Sequence, residues 1–309
     1  MAEGSLGRAL GAVGLKGAAL GLVRSFGYEV VKRPELERLM AAPEPAPEPA
    51  PDPEPRPEPE PDNPTELEDY QLQEAKHHLD VGTKDFDPAF FPLYERCKPY
   101  TMTSPERLYG LYKATRFVVE AEIPGDIVEC GVWKGGSMMM MALTLLSLGA
   151  DDRRLVLFDT YEGLPEPDKE KDINIWGGSA HEGWSQHRIS ETSSTWARSP
   201  LDEVQANMAS TGYPEARIDY VVGMVEETIP GQAPDEIALL RLDTDWYAST
   251  KHEMVELYPR LAPSGVLIID DYGHFEGARQ AVDEFLAESG TALLLNRLDY
   301  SGRLAQKPG

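Results

Sequence analysis

Five short, almost wholly apolar runs in the C-terminal two thirds of the chain set the strongest limit on its fold: DIVEC (126–130), RLVLFD (154–159), RIDYVVG (217–223), IALLRLD (237–243) and GVLIID (265–270). Strands this short without polar alternation bury both faces, the mark of a parallel sheet with helices on either side. Helical periodicity fills the intervals at about 137–148, 201–211, 249–261 and 276–288. This alternation predicts an α/β fold, a doubly wound, mostly parallel Rossmann-like sheet. A further helix is predicted upstream in TSPERLYGLYKATRFVVEAE, with Ser104 as its cap and Pro105 in its first turn. The stretch ALLLNRLDYSGRLAQKP predicts a closing hairpin.

The chain of 309 residues, 41% apolar, is interrupted at PEPAPEPAPDPEPRPEPEPDNP (43–64). Proline at every second position removes backbone donors and the acids repel, so 43–66 reads as a disordered, extended Pro/Glu-rich linker. It separates a basic, weakly amphipathic segment, 1–42, from a catalytic-sized domain, 67–309. Within the first 40 residues Arg8, Lys16, Arg24, Lys32, Arg33 and Arg38 stand beside apolar residues at near-helical spacing, which suggests weak docking to a membrane surface or a partner protein. The glycine-rich run LGRALGAVGLKGAALGLV, broken by Lys16 and without a convincing cleavage site, does not read as a signal peptide. No apolar run reaches the roughly 20 residues of a membrane span. A net charge of −24 argues against nonspecific nucleic-acid binding. The only two cysteines, Cys97 and Cys130, cannot form a disulfide framework, and a reducing cytoplasm is expected.

In a doubly wound sheet, ligands bind at the carboxyl ends of the strands, where strand order reverses. After the first run, VECGVWKGGS places Glu129 at the strand end, Gly131 where backbone must approach closely, and Gly135, Gly136 and Ser137 at the opening of a helix. The spacing is not G-x-G-x-x-G, and a simple structural turn is the competing reading. Asp159, closing the second run, is placed to accept the hydroxyls of a ribose or to cap a turn. Asp243 and Asp245 end the fourth run and Asp270 and Asp271 the fifth. Parallel neighbours would gather these acids at one rim, where unpaired anions raise one another's pKa unless a hard cation such as Mg²⁺, Mn²⁺ or Ca²⁺ joins them. Helix capping near Ser249 and Glu276 is the alternative. Residues 160–200 lack a clean period and read as a mobile loop or lid, with Tyr161, Trp176, His181 and Trp184 available to stack on an acceptor.

Five ordered blocks carry a resemblance: MTSPERLYGLY, GDIVECGVWKGGSMM, FDTYEGLPEP, LLRLDTDWYAST and LIIDDYGHFEGARQAVDEF. Over about 95–305 the chain closely resembles the macrocin O-methyltransferase (TylF/MycF-like) family, which is similar in fold to the class I S-adenosylmethionine-dependent methyltransferases with their seven-stranded sheet. The resemblance implies Mg²⁺-dependent methyl transfer from S-adenosylmethionine to a sugar hydroxyl of a glycosylated natural product or glycan. It also implies that Glu129, Gly131, Gly135 and Ser137 line the cofactor pocket, that Asp159 holds its ribose, and that Met102, Thr103 and Ser104 cover its methionine end. Asp243, Asp270 and Asp271 would ligate the metal, with Asp245 as a cap or supporting group. The hydroxyl proton must go to a base, and Asp243 and His274 are the candidates. A homo-oligomer is expected. The competing functions are metal-dependent methylation of a catechol-like phenol and a noncatalytic scaffold in a biosynthetic complex; a nicotinamide enzyme is disfavoured by the glycine spacing.

Overall fold

The computed structural model describes residues 83–309. The expected segment 1–42, the linker 43–66 and the start of the domain expected at 67 lie outside the described residues. A compact unit spans Asp80–Gly309.

Seven strands form one sheet in the order β3-β2-β1-β4-β5-β7-β6. They are β1 (Asp126–Cys130), β2 (Leu155–Asp159), β3 (Ile218–Val222), β4 (Ile237–Leu242), β5 (Leu261–Ile269), β6 (Asn296–Arg297) and β7 (Arg303–Gln306). The first five run parallel; β7 pairs antiparallel with β5 and with β6, the predicted closing hairpin. Strand order reverses between β1 and β4, so the loops leaving these strands diverge and open a crevice at their carboxyl ends.

The helices are α1 (Phe90–Cys97), α2 (Pro105–Glu120), α3 (Gly136–Leu148), α4 (Ala180–Ser185), α5 (Leu201–Ala209), α6 (Val225–Thr228), α7 (Tyr247–Leu257) and α8 (Glu276–Ser289). Ser104 caps α2 as predicted, its Oγ accepting from Arg107 N at 3.1 Å. Helix α2 buries Leu108, Leu111, Tyr112, Thr115 and Val118, a stripe at three- and four-residue spacing. Helix α3 is apolar all round and accordingly sunk in the core, with Met138, Met139, Met140 and Met141 all at 1% exposure or less.

The side chains of successive strand residues point to opposite faces, and each face has its own core. Ile127, Leu155, Leu157, Leu239 and Ile268 pack toward α2 and α3. Val128, Val156, Leu240, Leu267 and Ile269 pack with Met254, Leu257, Val282 and Phe285 of α7 and α8.

Some boundaries differ from expectation. Strand β5 begins at Leu261 because Leu261 already pairs with Ile237 and Leu261 and Ala262 are buried, and α7 stops at Leu257, where the chain tightens into a 3₁₀ turn carrying Pro259. The segment 160–200 is less open than expected: it holds α4 and short antiparallel bridges at Ile173–Ser179, Asn174–Phe275 and Arg188–Ser194. Trp184 is fully buried within it, donating Nε1–H to Leu164 O at 2.9 Å.

Candidate active site

Three turns meet at the crevice. Gly131, leaving β1, has φ +81, and a side chain there would bring Cβ to 1.9 Å from Asp243 O, so glycine allows the β1 and β4 turns to touch. Asp243 N donates to Cys130 O at 2.8 Å and Gly131 N to Phe158 O at 2.9 Å, joining the exits of β1, β2 and β4.

Asp159 is used to hold these turns. Its Oδ2 accepts from Val132 N (2.6 Å) and Trp133 N (3.1 Å), and its Oδ1 accepts from Tyr161 N (2.7 Å). Burial raises its pKa, against the lowering effect of those amides. Ser137 is buried in the first turn of α3, and Gly135 caps that helix in the left-handed conformation. Of the segment before α2, Met102 is exposed, Thr103 Oγ1 lies 2.9 Å from Thr101 Oγ1, and Ser104 Oγ donates to Asp299 Oδ2 at 2.8 Å.

The electrostatic centre is Arg241, a charge inside an otherwise apolar strand. Residues two apart share a face, so Arg241 and Asp243 project together, and the β1–β4 register sets Glu129 opposite Arg241. Arg241 Nη1 contacts Glu129 Oε1 (2.6 Å) and Asp243 Oδ2 (2.7 Å), while Nη2 contacts Asp270 Oδ1 (2.7 Å). Asp270 also receives the guanidinium of Arg107, whose Nε lies 2.9 Å from Asp299. Burial alone would raise the pKa of Asp270, but these two arginines hold it below its ordinary value. Burial pushes Glu129 up to about 7 despite Arg241, and its Oε2 is buried without a hydrogen-bond partner among the described residues.

The expected cluster of four unpaired acids therefore divides. Asp243, Asp245 and Asp271 present carboxylate oxygens within 4.8 Å of one another. Burial, with repulsion from the neighbouring acids, carries all three well above the ordinary carboxylate range. Asp271 Oδ2 is buried without a hydrogen-bond partner among the described residues, and Asp245 is held at φ +67, in the left-handed region. Three oxygen donors, of which only Asp243 forms an ion pair among the described residues, suit a hard divalent ion. Asp270 stands outside this trio, between its two arginines.

His274 follows on the turn after β5, its Nδ1 3.0 Å from Tyr300 OH. Burial, then the nearby Arg107, lowers its pKa to about 4, so the imidazole is neutral at ordinary pH. Trp176 meets it edge-on, ring centres 5.4 Å apart, and is partly exposed. Of the other loop residues considered for stacking, Tyr161 and Trp184 are buried, and His181 pairs with Glu166 at 3.0 Å.

Sequence reasoning passed over Arg107, Arg241 and Glu253. A lone arginine in the apolar run IALLRLD was the available signal for Arg241. Glu253, fully buried on α7, accepts from Thr244 Oγ1 at 3.0 Å and braces the turn between Asp243 and Asp245. Cys97 and Cys130 are both free and buried.

A parallel sheet in this order, reversing at a glycine turn and completed by an antiparallel hairpin, defines a class I methyltransferase. The solved structure of the O-methyltransferase NovP shares it, with a TM-score of 0.59 at 27% identity, covering 68% of this chain and 83% of that one. Residues 55–307 match the macrocin O-methyltransferase (TylF) family, and the chain belongs to it and is an O-methyltransferase. The match reaches upstream of the sequence blocks, into the proline-rich stretch. Among curated relatives, the 8-demethyl-8-(2,3-dimethoxy-alpha-L-rhamnosyl)-tetracenomycin-C 4'-O-methyltransferase of Streptomyces olivaceus is 32% identical over 72% of this chain and 80% of its own. The mycinamicin III 3''-O-methyltransferase of Micromonospora griseorubida is 28% identical over 66% of this chain and 76% of its own. The family implies S-adenosylmethionine as methyl donor. Among the described residues no helix is long and apolar enough to cross a membrane.

Proposed function

We propose that this enzyme methylates a sugar hydroxyl of a glycosylated small molecule, assisted by Mg²⁺. The observation that carries the reading is the convergence of Asp243, Asp245 and Asp271 beside the glycine turn that opens the cofactor crevice. Support for the acceptor class comes from the relative whose named acceptor bears a rhamnosyl group.

A sulfonium methyl is already electrophilic, so the protein must align an oxygen with the S–CH₃ bond and accept its proton. Glu129, Gly131, Gly135, Ser137 and Asp159 would hold the donor, with Met102, Thr103 and Ser104 covering its methionine end. Asp243, Asp245 and Asp271 would hold the cation, which supplies charge that favours the alkoxide form of the hydroxyl. Direct ligation by Asp270, the expectation from sequence, would require it to leave Arg107 and Arg241; as placed, it orients those cations beside the trio. Asp243 accepts the proton, and the neutral imidazole of His274 provides a second acceptor on the same rim.

The test is transfer of labelled methyl from S-adenosylmethionine to a panel of rhamnosylated polyketides, free sugars and catechols, with and without chelator. Labelled sugar products that vanish with EDTA and return with Mg²⁺ are expected. Turnover of catechols alone would reject the acceptor assignment; full activity after chelation would reject the cation.

A further inference from the structure

Asp172 lies in no helix or strand, yet it is 1% exposed. Its two oxygens serve different parts of the molecule: Oδ2 accepts from Asp168 N at 2.7 Å, within its own loop, and Oδ1 accepts from Tyr247 N at 2.8 Å, at the first residue of α7. The flanking residue of α7, Trp246, contributes no side-chain cap, so the loop supplies one. Tyr247 is two residues beyond Asp245, whose left-handed backbone shapes the acid trio.

The contact is built in. Gly277, in the first turn of α8, leaves a notch for Asp172: a Cβ there would stand 2.0 Å from Oδ1. Glycine inside a helix costs stability, so the space itself accounts for it. Neighbouring bonds run the same way: Glu276 N donates to Ile173 O (2.8 Å), Ile175 N to His274 O (2.8 Å) and Trp246 Nε1–H to Pro165 O (3.0 Å). Lys171 Nζ sits 3.3 Å from the centre of the Tyr247 ring.

We propose that Asp172 is a positioning residue through which the seating of the segment between β2 and α5 sets the orientation of Asp245 and hence of the carboxylate trio. The inference rests on the reading of that trio as the cation site. A loop that lifts takes the cap from α7, and the Asp245–Tyr247 turn loses an amide restraint. Covering the acceptor and aligning the acids thereby become one event.

The experiment uses the full chain and Mn²⁺ as probe, with Asp172→Ala, Gly277→Ala, the double variant and Asp172→Asn, each checked by circular dichroism. Asp172→Ala and Gly277→Ala should each weaken Mn²⁺ binding about tenfold and speed tryptic cleavage at Lys169 and Lys171 by a similar factor, on the order of one charged hydrogen bond. Asp172→Asn retains an acceptor for Tyr247 and should stay within about threefold. Calorimetric affinity for S-adenosylmethionine should be unchanged throughout. In the double variant Gly277→Ala should add less than about threefold, because the oxygen it displaces is gone and only a 3.1 Å contact with Tyr247 Cβ remains. Additive losses, or single variants with wild-type Mn²⁺ affinity, overturn the proposal; a wild-type protein that takes up no Mn²⁺ removes the cation reading and this inference with it.

Discussion

Glu129 of β1 and Arg241 of β4 face each other across adjacent strands, Oε1 2.6 Å from Nη1, with side-chain exposures of 0% and 3%. This pair lies where the sheet reverses, and the same guanidinium reaches Asp243 and Asp270. One buried cation thus holds carboxylates from β1 and from the ends of β4 and β5.

Removing that cation should be costly. Arg241→Met leaves three acids without it, of which Glu129 and Asp270 are buried, and urea denaturation should show a loss of about 3–5 kcal/mol. The paired variant Glu129→Gln/Arg241→Met should recover part of this, since one stranded charge is removed with its partner. Equal losses in both would show that Glu129 is not neutralised by Arg241.

The acids should divide by role. Asp245→Asn and Asp271→Asn are expected to weaken Mn²⁺ binding at least about tenfold with little effect on folding, because they remove repulsion as well as a ligand. Asp270→Asn should instead reduce stability by about 1–3 kcal/mol, having weakened two charge-assisted contacts. Calorimetry with Mn²⁺ and parallel denaturation curves separate these outcomes; loss of Mn²⁺ binding in Asp270→Asn at full stability would assign Asp270 to the cation.

Gly131→Ala should break the crevice. The residue combines φ +81 with a Cβ position 1.9 Å from Asp243 O, so the turns of β1 and β4 must separate. A stability loss of about 2 kcal/mol or more is expected, with weakened binding of S-adenosylmethionine by calorimetry. Wild-type affinity in this variant would place the donor elsewhere.

His274 should impose a pH dependence. Its pKa falls on folding from 6.5 to about 4, so between these values the unfolded chain binds a proton that the folded chain refuses. Stability contributed by this group is complete above about pH 6.5 and declines as pH drops, by on the order of 3 kcal/mol near pH 4. The difference in denaturation free energy between wild type and His274→Asn, followed from pH 7 to 4, should narrow accordingly. A constant difference would mean that His274 titrates normally.

Much of the scaffold was legible because its signals are local. DIVEC and IALLRLD are short apolar runs set between turn residues and helical periods, which marks them as buried strands, and Ser104–Pro105 marks a helix start by local capping chemistry. Helix α1 escaped because FFPLYERC carries a proline and only two buried side chains, Phe90 and Cys97, so its periodicity is faint. The segment 160–200 misled for another reason: its order rests on Trp184, Asp172 and scattered backbone bonds, which leave no period in the sequence.

The run of residues by itself determined that a parallel sheet forms and that acids fall at the ends of β2, β4 and β5, since burial of both strand faces pushes charge to the strand termini. Only the tertiary structure decided which acids are paired. Asp270 and Asp271 are adjacent in the chain yet meet opposite environments, because Arg107, 163 residues away, and Arg241 of the neighbouring strand reach one and not the other. Pairing of buried charge depends on distances between segments far apart in sequence, and those distances exist only once the sheet and helices have packed.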